Sequence, residues 1–201
     1  MASPELRVVH APTDLALAQR CVQGDVSAQR ELYHREKRRV HAVLHRLLGS
    51  NAHMEDLIQE SFFQIFRSLH GFRGEATLGT WIDRCAVRVG YAHIASKKLR
   101  AVAIDDVHEP ESHAPSAESV RRAREATRRL YRSLDRIEPK QRVAFVLHVV
   151  EGRPMAEVAL LMDASVVATK VRVWRARRFL EARARRDPWL ADFVDEGRAE
   201  P

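Results

Sequence analysis

Residues 163–178 read DASVVATKVRVWRARR, a run in which lysine and arginines are interleaved with valines and a tryptophan. At 3.6 residues per turn, Val166, Thr169, Val173, Ala176 and Leu180 recur at alternating three- and four-residue steps and form one continuous helix face. A rival stripe through Val167, Val171 and Trp174 runs into Arg178 and fails there. The first face is therefore expected to be buried, since small Ala176 and medium Val173 suit close helix packing. Lys170, Val171, Trp174, Arg175 and Arg178 then point outward together, with Arg172 beside them. Upstream, PMAEVALLM (154–162) reads as a short helix and DAS (163–165) as a tight turn. A short helix, a tight turn and a longer helix form the helix-turn-helix pattern.

Working outward, VAFVL (143–147) belongs to a helix that starts at Pro139 and stops at Gly152, and with VALLM (158–162) it offers the apolar surface the buried face needs. A basic helix, ESVRRAREATRRLYRSL (118–134), precedes it. Nearer the N-terminus, TDLALAQRCVQGD (13–25) predicts a helix capped at Thr13 or Asp14, with Leu15, Ala18, Cys21 and Val22 on one face. The next helix, 26–49, carries the stripe Leu32, Val40, Val43, Leu44 and Leu47 and stops at Gly49. A third, MEDLIQESFFQIFRSL (54–69), turns Leu57, Ile58, Phe62, Ile65, Phe66 and Leu69 inward. The loop HGFRGEATLG (70–79) leads to a fourth helix from Thr80. Between the two helical modules, 101–120 contains no lysine or arginine but five acids, prolines and serines, an extended acidic linker by composition. The expected fold is all-α: two small helical modules, a four-helix bundle (13–100) and a helix-turn-helix (117–186), joined by a flexible acidic linker (101–116). A tail, 187–201, follows.

Charge narrows the function. Lysine and arginine outnumber the acids 34 to 27, for a formal charge of +7. Such an excess favours a polyanionic partner, nucleic acid before membrane. Two cysteines provide neither a disulfide scaffold nor a zinc site. His34, His41 and His45 share a helix face, but Arg38, Arg39 and Arg46 beside them oppose a cation, so no metal and no cofactor is expected. No nucleophile–base pair stands out, and the protein is read as a non-enzyme. The N-terminus lacks a signal-peptide core and no apolar run reaches spanning length, which predicts a cytoplasmic protein without membrane insertion.

The outward face of 166–180 suits duplex DNA. Lysine and arginine bond guanine edges and phosphates, while valine and tryptophan meet thymine methyls or bases in the major groove. The alternative is a solvated face with Trp174 at the edge of the core.

The stretch LHVVEGRPMAEVALLMDASVVATKVRVWRARRFL resembles region 4 of the extracytoplasmic-function (ECF) sigma factors, initiation factors of bacterial RNA polymerase, most clearly in EG, EVA, LLM and RARRFL. It departs from the family at Val167, Ala168 and Thr169, where a glycine often precedes threonine and valine. HMEDLIQESFFQIFRSLHGFRGEATLGTWIDRCAVRV is similar to region 2, and LAQRCVQGDVSAQRELYHRE to the family's opening helix. The likeness runs from Asp14 to about Leu180, in the family's order.

The resemblance implies a sigma factor that binds core RNA polymerase, recognises promoter DNA and promotes transcription initiation. The alternative is a stand-alone helix-turn-helix regulator. It implies upstream-element contacts by Lys170, Val171, Arg172, Trp174, Arg175 and Arg178. Contacts to the proximal element and melted strand would come from Phe72, Arg73, Trp81, Arg84, Arg88, Lys97, Lys98 and Arg100, the loop before Trp81 holding a flipped base. Arg88 stands where many members carry asparagine. Asp56, Gln59, Glu60 and Phe63 would dock on the β′ clamp, with the β flap as a second polymerase contact. An anti-sigma factor is left open as a further partner.

Overall fold

A computed structural model describes residues 12–103, 118–185 and 187. Most of the acidic linker and nearly all of the tail therefore lie outside the described residues. Among those described, eight α-helices run in order: α1 (Pro12–Val22), α2 (Val26–Leu48), α3 (Met54–Ser68), α4 (Leu78–Ala103), α5 (Glu118–Leu134), α6 (Pro139–Phe145), α7 (Met155–Leu161) and α8 (Val166–Ala184). The chain divides into two compact units, one containing 12–44 and 53–89, the other 45–52 and the residues from 90 onward.

The first unit is built on α2 and α3. Leu32, Val40, Val43 and Leu44 of α2 and Leu57, Ile58, Phe62 and Ile65 of α3 are all buried, as the spacing predicts. Phe66 is only half-buried. Helix α1 differs from expectation. It starts at Pro12, so Thr13 and Asp14 lie inside its first turn rather than capping it. Leu17, Ala18 and Cys21 are buried, whereas Leu15 and Val22 are exposed. Leu17 is not singled out by spacing, because a short helix with alanine on several sides has more than one plausible apolar stripe. The α1–α2 turn is held by Asp25, whose Oδ1 accepts from Ser27 N (2.8 Å) and Ala28 N (3.1 Å) at the start of α2. Helix α4 begins at Leu78, two residues before the expected Thr80. Thr77 explains the earlier start, because its Oγ1 accepts from Thr80 N (3.1 Å) and meets Thr80 Oγ1 (2.8 Å).

In the second unit, α8 packs on α6, α7 and α5. The core consists of Leu130, Leu134, Val143 to Leu147, Val158, Ala159 and Leu161. Pro139 occupies the first turn of α6. The chain continues beyond Phe145 as a wide π-helical turn, 146–150, with Glu151 N donating to Val146 O (3.0 Å). Gly152 (φ 68°) then reverses the chain in a backbone region that costs an L side chain about 1 kcal/mol or more.

Candidate nucleic-acid interface

The start of α8 is fixed by its first residues. Ser165 is the N-cap, in extended conformation, with Oγ accepting from Ala168 N (3.1 Å). Thr169 is buried and its Oγ1 donates back to Ser165 O (3.0 Å), which satisfies a hydroxyl that would otherwise be costly in the core. Asp163 adopts φ 47° in the preceding turn, a conformation aspartate tolerates better than most residues.

Thr169, Val173, Ala176 and Leu180 are buried, the stripe read from the sequence. Val166 is the exception. It satisfies the spacing but is 40% exposed in the first turn of α8, at the margin of the packing. On the other side, Lys170, Val171, Trp174, Arg175 and Arg178 are all exposed, and Arg172 is half-buried. Trp174, 60% exposed, is not an edge-of-core residue. The Arg178 guanidinium lies over its ring, 5.8 Å from the centroid. A Trp–Arg pair one turn apart could have been anticipated, since i,i+4 side chains meet on a helix. The result is a flat aromatic surface carrying a positive charge, beside two further cations and an apolar Val171.

In the first unit, Asp56, Gln59 and Glu60 are exposed along α3, and Phe63 continues that edge at 58% exposure. Arg67 lies over the Phe63 ring (6.0 Å), and Glu60 accepts from Gln64 Nε2 (2.7 Å). The edge therefore presents two acids around an exposed aromatic. The loop before α4 is anchored by Phe72, which is buried and meets Trp81 edge-on at 6.1 Å. Phe72 thus holds the loop from beneath rather than presenting its ring. Trp81 and Arg84 are half-buried, while Arg73 and Arg88 are exposed; on the part of α4 that belongs to the second unit, Lys97 and Arg100 are exposed. Lys98 is half-buried, and its Nζ donates to Ile137 O (2.7 Å), so this amine already serves the protein.

Two family models match the chain, Sigma-70 region 2 over residues 32–100 and Sigma-70 region 4 over 127–180. An ECF RNA polymerase sigma-E factor of Haemophilus influenzae is 29% identical over 185 residues, covering 84% of this chain and 94% of the relative. That of Escherichia coli K12 is 26% identical over 178 residues, covering 84% and 93%. The chain belongs to the ECF sigma factors.

Solved structures share the fold. CnrH, in complex with the cytosolic domain of CnrY, superposes with a TM-score of 0.57 at 18% identity, covering 87% of this chain and 99% of that one. RpoE from Bartonella quintana, in complex with the anti-sigma factor NepR, gives 0.54 at 16% identity, covering 84% and 98%. In this sigma factor, the region 2 match contains the α3 edge and the loop before α4, and the region 4 match contains α8. No described helix is long and apolar enough to cross a membrane.

Proposed function

We infer that this ECF sigma factor binds core RNA polymerase, recognises a promoter through both units and promotes transcription initiation, itself catalysing no reaction and working in the cytoplasm. One observation carries the DNA-reading assignment: α8 separates its side chains into a buried stripe and an exposed face of Lys170, Val171, Trp174, Arg175 and Arg178. A helix held from behind and cationic in front is what major-groove recognition needs. Lys170 and Arg175 can reach base edges or phosphates, and Val171 can meet a thymine methyl. The stacked Trp174–Arg178 pair supplies charge without the freedom of an isolated arginine.

In the first unit, Asp56, Gln59, Glu60 and Phe63 form the polymerase contact, their acids suited to a basic clamp and Phe63 filling an apolar pocket. The loop 72–77 and the cations Arg73, Arg84 and Arg88 hold the proximal element and the opened strand, with Trp81 shaping the loop. An anti-sigma factor is a further partner of this reading, supported by the complex of the structural relative RpoE with the anti-sigma factor NepR.

The test is transcription by reconstituted holoenzyme from a promoter library randomised in the upstream element. Arg175→Ala and Trp174→Ala are expected to change base preference, each costing about 1–3 kcal/mol where a good base contact is lost. Unchanged preference in both variants would make α8 a solvated surface. DNA binding without co-purifying β and β′ subunits would favour a stand-alone regulator instead.

A further inference from the structure

Outside the surfaces described above, the first unit holds an unusual polar arrangement. Asp83, on the second turn of α4, is 0% exposed. Arg39 of α2 meets it in a two-pronged ion pair, Nε to Oδ1 at 2.7 Å and Nη2 to Oδ2 at 3.2 Å. The same guanidinium lies over the backbone of Gly79. A Cβ added to Gly79 would come within 2.8 Å of both Arg39 Cζ and Arg39 Nη1. Glycine inside a helix is unfavourable against alanine, so close approach is a physical reason for having it there. The guanidinium thus grips α4 twice, at a carboxylate and across a bare backbone, four residues apart. Trp81 lies between these points in the sequence, and Thr77, which caps the helix, comes two residues before Gly79.

We propose that Arg39 is a positioning residue for promoter opening. It fixes the first turn of α4, and through it Trp81 and the loop 72–77, in the orientation that receives the unpaired strand. The proposal rests on the reading of that loop as a strand-binding element. A planar fork with fixed geometry transmits orientation better than an apolar contact or a lysine, whose freely rotating ammonium imposes no fixed two-pronged geometry on the carboxylate.

Arg39→Ala would take the guanidinium away from a buried carboxylate and endanger the fold, so the test uses the double variant Arg39→Met/Asp83→Leu. Asp83 is buried and Arg39 half-exposed, and replacing both partners with apolar groups of similar volume avoids leaving a buried carboxylate without its guanidinium. The intact sigma factor is assembled with core polymerase, and the opened bubble is mapped by permanganate. A wild-type protein whose loop 72–77 is replaced by glycine and serine runs alongside. The double variant should bind core within twofold of wild type and melt normally. It should open the promoter at least about tenfold more slowly, or with an altered bubble edge. Arg39→Lys should recover folding without recovering opening. Wild-type opening in the double variant, with a defective loop replacement, overturns the clamp while leaving the loop reading intact. Wild-type opening in both removes the loop reading, and the proposal with it.

Discussion

The division of α8 into a buried and a reading side makes its two central valines a matched pair. Val173 is 4% exposed and Val171 is 42% exposed, on the same helix. Val173→Ala removes two buried carbons, roughly 1.6 kcal/mol at 0.8 kcal/mol per group. The cavity adds about 1 kcal/mol, and alanine's better helix propensity returns about 0.6 kcal/mol. The net loss is about 2 kcal/mol, or roughly ten degrees in Tm for a module of this size. Val171→Ala loses less transfer energy and leaves no cavity, so the same propensity gain brings its net change to within about 0.5 kcal/mol. Promoter preference should respond in reverse. Val171→Ala should weaken discrimination for the base pair its methyls touch, whereas Val173→Ala should leave preference unchanged once equal folded amounts are compared. Circular-dichroism melting gives the first quantity, and transcription from an upstream-element library the second. Equal destabilisation by both substitutions, or altered preference only for Val173→Ala, would refute the assignment of faces.

Asp56→Arg with Glu60→Arg should weaken core-polymerase capture at unchanged helical content, since both carboxylates are exposed and reversal adds repulsion; pull-down against immobilised core checks it. The backbone N–H of Ala28 and then the Arg20 guanidinium hold the Asp25 carboxyl below the usual carboxylate range. Its contribution to stability is therefore present above the ordinary value of about 3.9 and lost as pH falls through the lower folded value. The Tm advantage of wild type over Asp25→Asn should accordingly shrink on acidification. Burial pushes the Cys85 thiol up, so it stays neutral and shielded at neutral pH. Iodoacetamide should label Cys85 only as fast as the surrounding helices open, and rapid labelling of folded protein would contradict its placement.

Legibility in the sequence varied with how local the determining physics is. The buried stripe of α8 could be read because polar residues interrupt every competing stripe, and the same holds for α2 and most of α3. Spacing failed at margins, where an apolar residue fits the period but has little packed above it, as at Val166, Leu15 and Val22. The early start of α4 was signalled by Thr77, three residues before a threonine whose N–H it caps. The candidate interface was legible as a set of cations and aromatics but not in how each is used. Only coordinates reveal that Phe72 faces inward and that Lys98 is already hydrogen-bonded. Least accessible was the Arg39–Asp83 pair, 44 residues apart, because no local pattern links an arginine on one helix to an acid on another.

That pair imposes an order on change. While Arg39 lies across the first turn of α4, a Cβ at position 79 would press on the end of its guanidinium at 2.8 Å, so a side chain there requires Arg39 to shift. Once residue 39 is shortened or turned aside, alanine at 79 passes from disfavoured to favoured, gaining up to about 1 kcal/mol of helix propensity. Restoring arginine at 39 would then meet the new methyl group. The two positions should behave as a ratchet, in which the second substitution is permitted by the first and afterwards blocks its reversal. Among lineages descended from this chain, a residue other than glycine at 79 should travel with a smaller residue at 39.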